Sequence, residues 1–398
     1  MDNYKLPKFY TGEELKENLT FLPEYKKEFR NLPLEERLFL LNSLYDIYIP
    51  SNMSFDIYSK LYMALNRSLS KKFTKEAILQ KNENHNLIRK THSNGLIGGS
   101  DSLLITGVSG IGKSSSITNA ISLLSNEIIE TKTTKIIPAF ILQCPFDCSV
   151  KSMLLEILRN VDNVLETTYY KFALNSNATI DMLIGMVSQV ALNHIGILII
   201  DEIQNVVENK KGKSLVGAIT QLINNSGTSI VMVGTPESNL FFEQEEFLAR
   251  RAIGLSFNEI EYGKKFIDFV DSVFKYNFCK EEIIFDDYFY SFIYEHTKGL
   301  PSNIITLFHD CQEIAITRGI ERVDIETLSL SYKERMGTLH YYISKEIKPV
   351  RPTKKSSEEI VPKQIKKASN PLFRFSDIVK KDGDIISNLR KYIEVVEV

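Results

Sequence analysis

The stretch "ITGVSGIGKSSS", residues 105–116, decides how the rest of the chain is interpreted. It contains the pattern G-x-x-x-x-G-K-[ST], whose fixed positions are Gly107, Gly112, Lys113 and Ser114. This pattern is typical of a phosphate-binding loop: backbone N–H groups turn toward the phosphates, the lysine reaches the β- and γ-phosphates, and the hydroxyl binds Mg²⁺. We therefore predict a nucleotide site formed by Gly107, Val108, Ser109, Gly110, Ile111, Gly112, Lys113, Ser114 and Ser115.

The residues around this loop have the periodicity that such a loop requires. Before it, "SLLIT" indicates a short apolar strand. After it, apolar residues recur at i, i+3, i+4 and i+7, which predicts a helix with one apolar face: Ile117, Ala120, Ile121 and Leu124. A chance run of small residues is the alternative, but the strand–loop–helix order favours phosphate binding.

An acidic pair follows a second apolar strand, in "ILIIDEIQ". We predict that Asp201, at the end of this strand, holds Mg²⁺ together with Ser114, and that Glu202 orients and deprotonates the attacking water. A solvated strand end would also carry two acids. The phosphate loop earlier in the chain favours the catalytic interpretation.

Two further candidates lie after the next strand, "SIVMV". Thr235 would contact the γ-phosphate or the water, although a simple turn before Pro236 explains the same residue. In "FLARRAIG", one of Arg250 and Arg251 would act in trans on a neighbouring subunit, because arginine stabilises the charge that develops in phosphoryl transfer. That role places the active site between subunits and implies a ring or a helical assembly. A solvated basic pair is the alternative.

Strands alternate with helices between these motifs, which predicts an α/β, three-layer core with a parallel sheet. The unbroken apolar run "IGILII" is typical of a central strand that is covered on both faces. The predicted division is an N-terminal helical segment (1–95), a P-loop ATPase core (96–260), a helical lid (261–340) and a basic, flexible tail (341–398).

Bulk composition excludes several classes of protein. The 398 residues carry a formal net charge of -2, and no apolar run approaches the roughly 18 residues that a membrane span needs. Four cysteines are too few for a disulfide scaffold, and Cys144 and Cys148 have no second Cys/His pair nearby to complete a zinc site. We expect a reduced, cytoplasmic protein without a membrane association.

The motifs, in this order and with helices after them, resemble an AAA+ ATPase. Within that class, the segment from "IIPAFILQCPFDCSVKS" to "TTYY" resembles the TniB/TnsC family of transposition regulators, as do "FYTGEELKENLTFLP" and "EEFLARRAIG". The positions that match the family are Cys144, Pro145, Asp147, Ser149, Lys151, Asp162 and Thr168–Tyr170. Two positions depart from the pattern. Cys148 stands where the family usually has glycine, and "GLPSNI" (299–304) lacks the arginine that many AAA+ lids carry.

The resemblance implies that the protein binds ATP and Mg²⁺, oligomerises on duplex target DNA and links a target-site selector protein to the transposase. Hydrolysis, slow or dependent on a partner, would then disassemble the oligomer. Candidate DNA contacts are Lys132, Lys135 and Lys151, and solvated lysines are the alternative. In the tail, "NPLFRFSDIVKK" would dock on a partner or pack on the body.

Two other functions use the same core. An AAA+ replication initiator or helicase loader would bind a helicase instead of a transposase. The missing lid arginine and the lack of a C-terminal helix-turn-helix pattern count against it. A signalling ATPase that responds to a ligand without DNA is the third candidate, and the absence of a sensing repeat array in the sequence counts against it.

Overall fold

The computed structural model describes residues 6–89, 102–124, 128–131, 134–209, 212–239 and 252–337. Lys132, Arg250, Arg251 and the tail lie outside these residues, as does the glycine-rich segment that precedes the phosphate loop.

A six-stranded sheet is the centre of the fold, with strand order β2-β3-β4-β5-β1-β6. The strands are β1 (Ser102–Gly107), β2 (Ile129–Glu130), β3 (Lys135–Gln143), β4 (Ile195–Asp201), β5 (Ser229–Gly234) and β6 (Ala252–Phe257). Every neighbouring pair is parallel except β2 with β3. Because parallel strands end at the same edge, the segments that follow β1, β4 and β5 meet there.

Helices cover both faces of the sheet, as the apolar run in β4 predicts. Ile197 and Ile199 pack on one face, while Leu198 and Ile200 pack on the other. The first face carries α1 (Gly12–Leu19), α3 (Asn52–Lys72) and α5 (Lys113–Leu124). The second carries α6 (Val150–Leu165), α7 (Tyr169–Asn175), α8 (Ile180–His194) and α10 (Gly212–Ser226), with α4 (Lys75–Ile88) against α8 and α9 (Asn205–Glu208) after β4.

A separate apolar cluster joins the helices after the sheet, which we call the helical unit: α11 (Lys264–Phe274), α12 (Asp287–Thr297), α13 (Pro301–Thr317) and α14 (Ile325–Ser331). At its centre the rings of Phe274 and Phe308 stack with centroids 3.8 Å apart. The N-terminal helix α2 (Leu34–Leu41) also belongs to this cluster. Its buried Arg37 donates to both carboxylate oxygens of Glu321, at 2.7 and 2.8 Å, and to the carbonyl of Phe278.

The predicted α/β fold, a three-layer core with a mostly parallel sheet followed by helices, is confirmed. The short edge strands β2 and β6 were not predicted. β2 has only two residues, and β6 ("AIGLSF") contains a glycine and follows a charged segment. No helix within the described ranges is both long enough and apolar enough to cross a membrane.

Candidate nucleotide-binding site

A cavity of about 1760 Å³ opens at the edge of the sheet where β1, β4 and β5 end. The predicted loop residues from Ser109 to Ser115 line it, together with Asp201, Glu202 and Thr235. Residues that the sequence did not assign to the site also line it, from three parts of the chain: between 10 and 16, between 45 and 55, and between 257 and 306. The cavity therefore lies between the sheet, the N-terminal segment and the helical unit.

The phosphate loop has the backbone shape that its glycines predict. Gly110 and Gly112 have φ of +83° and +97°, a region in which side chains are strained, so they turn the backbone between β1 and α5. Gly107 ends β1 beside β6, where an added Cβ would lie 2.8 Å from the carbonyl oxygen of Phe257. Such a loop, entering a helix N-terminus, presents backbone N–H groups to an anion.

Lys113 lies at the start of α5 and folds back onto the loop. Its Nζ donates to the carbonyl oxygens of Gly107, at 2.7 Å, and Val108, at 3.1 Å. Burial lowers the pKa of the ammonium group, while the nearby carboxylates of Asp201 and Glu202 oppose that shift. The ammonium group is thus held in the loop, within the cavity that phosphates would enter.

Ser114 and Asp201 meet across the edge of the sheet. The Ser114 hydroxyl donates to Oδ2 of Asp201 at 3.0 Å, while Oδ1 of Asp201 accepts the N–H of Glu202 at 2.8 Å. A hydroxyl and a carboxylate are the oxygen ligands that Mg²⁺ prefers, and Mg²⁺ keeps several waters besides. This donor set therefore fits the predicted magnesium site.

Glu202 is exposed to the cavity and lies immediately after β4. Its φ of +58° is in the left-handed region. Its carboxylate accepts a hydrogen bond from the side-chain amide of Gln204, a residue that the sequence analysis did not select. Gln204 also accepts the backbone N–H of Thr235 at 3.3 Å. Thr235 lines the cavity, and a hydrogen bond from its side chain lowers the pKa of the exposed Glu237 carboxyl.

The helical unit touches the phosphate loop where α13 begins. The N–H of Ser302 donates to the carbonyl of Gly110 at 3.2 Å, and an added Cβ on Gly110 would lie 2.3 Å from the Ser302 hydroxyl. Ser302 is one of the residues in "GLPSNI", where the sequence lacks a lid arginine. A small side chain at position 302 therefore allows α13 to approach the loop closely.

The N-terminal segment is bonded to the helix that follows the loop. The Tyr48 hydroxyl bonds to the hydroxyls of Ser54, at 2.8 Å, and Ser116, at 3.0 Å. Burial raises the pKa of Tyr48, and these two hydrogen bonds oppose the shift. No motif near Tyr48 indicates this contact, because the partner lies 68 residues away on α5.

The two described lysines that were predicted to contact DNA are not brought together. Lys135 begins the nine-residue strand β3 and pairs with Glu130 at 3.4 Å, whereas exposed Lys151 lies in the first turn of α6, beyond the other end of β3. Roughly 26 Å of extended strand separates the two ends. Lys151 lies at the same edge of the sheet as the cavity, and Lys135 lies at the opposite edge.

Comparisons with known proteins give one family match and several distant structural ones. A family model described as an AAA domain matches residues 97–240. Similar solved structures include the ORC1 protein of Aeropyrum pernix in complex with DNA (13% identity, TM-score 0.41, covering 65% of each chain). A second is the RuvB Holliday junction branch migration motor of Thermotoga maritima (14% identity, TM-score 0.37, covering 70% of this chain and 68% of that one). A third is Drosophila ORC bound to DNA (12% identity, TM-score 0.40, covering 68% of this chain and 65% of that one).

This chain spans slightly less than two thirds of the Aeropyrum pernix protein, and the likeness between them is distant. No curated protein sequence matches the chain. The family match covers the phosphate loop, the acidic pair after β4 and the end of β5. Residues 97–240, which form most of the α/β core, therefore match the model of an AAA domain.

Proposed function

We propose that this chain binds ATP with Mg²⁺ and hydrolyses it at the edge of the sheet. The observation that carries the proposal is the 3.0 Å contact between the Ser114 hydroxyl and the Asp201 carboxylate, beside a second carboxylate at Glu202. Together these groups provide oxygen ligands for a metal and a base for a water molecule at one point of the cavity.

The residues divide the work according to their positions. Lys113 would exchange its two carbonyl acceptors for the β- and γ-phosphates, which are better partners for an ammonium group. Ser114 and Asp201 would hold Mg²⁺, which when bound neutralises charge on the phosphate oxygens. Glu202 would orient the attacking water and accept its proton, and Thr235 would contact the γ-phosphate or that water.

Completion of the site by a neighbouring subunit is part of the proposal. One of Arg250 and Arg251 would reach the γ-phosphate of the next subunit, because no group is better suited to the charge that develops there than a guanidinium. Hydrolysis would then depend on the assembly of a ring or a filament, and would be slow in the isolated chain.

We further propose that the protein is a regulator of DNA transposition of the TniB/TnsC type. Two observations support the resemblance on which this rests. Asp162 accepts the N–H groups of Tyr169 and Tyr170 at 2.9 and 2.8 Å, so the aspartate and the "TTYY" element of the family pattern form one local unit. Cys148, where the family usually has glycine, has φ of +51°, a conformation that favours glycine.

DNA binding would use the face that carries Lys151. A polymer that wraps duplex DNA needs many phosphate contacts and few base contacts, so exposed lysines at repeated positions are sufficient. Lys151 begins α6 directly after the "CPFDCS" loop, which is the family-like segment. Lys135 would contribute from the other edge only if the DNA path reaches that edge as well. Lys132, which lies outside the described residues, stays a candidate DNA contact.

Microscopy of the protein with duplex DNA tests this proposal. We expect rings or filaments on DNA with a non-hydrolysable ATP analogue and none with ADP. Absence of any assembly in both states would contradict the transposition proposal. If assemblies form, capture of a transposase supports the proposal, whereas capture of a replicative helicase in its place would favour an initiator or loader.

A further inference from the structure

We propose that Gln204 is a positioning residue for hydrolysis, which sets the direction of the Glu202 carboxylate from the end of β5. This inference rests on the proposed ATPase activity. Its basis is one side-chain amide with two partners: the amide nitrogen of Gln204 donates to the Glu202 carboxylate, and its oxygen accepts the backbone N–H of Thr235 at 3.3 Å.

The orientation of this amide follows from its partner directly after β5, the N–H of Thr235. A backbone N–H only donates, so the group that faces Thr235 must be the amide oxygen. The NH₂ group then faces Glu202, whose ionised carboxylate only accepts. Both ends of the Gln204 side chain therefore have a defined partner, and the amide joins the end of β5 to the carboxylate.

Backbone contacts fix the turn that carries Gln204. The N–H of Ile203 donates to the carbonyl of Val233 on β5 at 2.9 Å, and the Ile203 side chain is buried. Gly234 leaves space for the amide: an added Cβ there would lie 2.7 Å from Oε1 of Gln204 and 2.3 Å from the Ser238 hydroxyl. A larger residue at position 234 would crowd both the amide and the Ser238 hydroxyl.

The backbone of Glu202 also depends on its neighbours. Its left-handed φ of +58° is uncommon for a residue with a side chain, and its N–H is held by Oδ1 of Asp201 at 2.8 Å. The backbone is thus fixed from the side of β4, and the carboxylate is held from the side of β5. A shift of β5, which ends beside the expected γ-phosphate at Thr235, would move the carboxylate through Gln204.

The direct test compares Gln204→Glu and Gln204→Leu with the wild type. Glutamate keeps the size of the side chain and an acceptor for Thr235, but it lacks the donor for Glu202. We expect both variants to lose roughly 10- to 100-fold in kcat, as for a misplaced catalytic group, with KM and the affinity for a fluorescent ATP analogue unchanged. Gln221→Ala, at an exposed position on α10, is the matched control and should behave as the wild type.

A double-variant comparison separates positioning from a general structural role. In a Glu202→Gln background, Gln204→Leu should cause no further loss of kcat, because residues that act as a unit are not additive. Gly234→Ala keeps Gln204 but crowds its amide oxygen and the Ser238 hydroxyl, and should also lower kcat. The inference would be overturned if the wild type hydrolyses ATP and neither Gln204→Glu nor Gln204→Leu lowers kcat. Additive losses in the double variant would also overturn it. A wild type that is inactive even with duplex DNA present would instead contradict the proposed ATPase function.

Discussion

The Ser114 hydroxyl donates a 3.0 Å hydrogen bond to Asp201 across 87 residues of chain. This contact joins the helix after β1 to the end of β4, although β1 and β4 are not paired with each other and β5 lies between them. Two motifs that are unconnected in the sequence thereby become one site. The two oxygens of the Asp201 carboxylate thus have different partners: Oδ2 accepts from Ser114, and Oδ1 accepts from the N–H of Glu202.

Two substitutions should separate nucleotide binding from turnover. Lys113→Ala removes the ammonium group from the loop and should abolish ATP binding and nucleotide-dependent assembly. Glu202→Gln keeps the shape of the side chain without a base, so binding and assembly should persist while turnover falls roughly 10²- to 10⁴-fold. A fluorescent ATP analogue measures binding, and phosphate release measures turnover. Normal hydrolysis by Glu202→Gln would exclude the proposed role of that glutamate.

Gly110→Ala should weaken nucleotide binding by placing a Cβ where α13 meets the loop. The alanine would carry the strain of φ +83° and would lie 2.3 Å from the Ser302 hydroxyl. Adding Ser302→Gly should restore only the part of the lost affinity that comes from the collision with Ser302, because the backbone strain at position 110 remains. Titration with an ATP analogue compares the single and double variants.

Gly217→Ala is the control for this pair, since an added Cβ at this helical position meets no atom within 4 Å. It should leave binding unchanged and stabilise the protein by up to about 1 kcal/mol. If Gly110→Ala binds as well as Gly217→Ala, the close approach of α13 to the loop does not matter for the nucleotide.

Glu321→Gln should destabilise the helical unit by about 3 kcal/mol at pH 7, because it leaves the buried Arg37 without its charged partner. The pKa of Glu321 is lowered, first by its hydrogen bond with Arg37, so its contribution to stability is fully present above the ordinary glutamate value of 4.5. That contribution is lost as the pH falls through the lower pKa of the folded state. Urea unfolding should therefore show the difference between variant and wild type narrowing as the pH is lowered below 4.5.

Glu326→Gln provides the comparison at an exposed ion pair. Glu326 lies 3.5 Å from Arg322, and its side chain is 87% exposed. This substitution should change the free energy of unfolding by less than about 0.5 kcal/mol. If Glu321→Gln and Glu326→Gln changed the free energy of unfolding equally, the burial of Arg37 would have no special role in stability.

Lys151→Ala should weaken DNA binding to all sequences alike and reduce its dependence on salt. Loss of one phosphate contact lowers the slope of log K against log salt by about 0.9. Fluorescence anisotropy with labelled duplexes at several salt concentrations measures both quantities. Lys275→Ala, at an exposed position that ends α11, should leave the slope unchanged. An unchanged slope for Lys151→Ala would exclude a phosphate contact there.

The sequence predicted the parts of the site that are carried by short, contiguous motifs. The loop after β1 and the acidic pair after β4 each follow an apolar strand, and parallel strands bring their ends together whatever lies between them. The assignment of Asp201 and Ser114 to one metal site needed only that rule. For the same reason the three-layer core followed from the alternation of strands and helices.

Contacts that depend on the tertiary arrangement could not be predicted in this way. Gln204 has no pattern of its own, because its role requires the N–H of Thr235, which directly follows a neighbouring strand. Arg37 contacts Glu321, which lies 284 residues later in the chain. No local pattern therefore indicates that the N-terminal helices divide between two apolar clusters, with α2 in one and α1 and α3 in the other. β6 is recognisable only through its pairing with β1, residue by residue from Ser102 with Ala252.

The central claim is that the chain hydrolyses ATP with Glu202 as the base. Its most direct test is to measure phosphate release from ATP with Mg²⁺, for the wild type and for Glu202→Gln, with and without duplex DNA. Binding of a fluorescent ATP analogue is followed in the same samples. The proposed site predicts that both proteins bind the nucleotide, and that only the wild type releases phosphate, faster when DNA supports assembly. Phosphate release at equal rates by the two proteins, or no nucleotide binding by either, would contradict the claim.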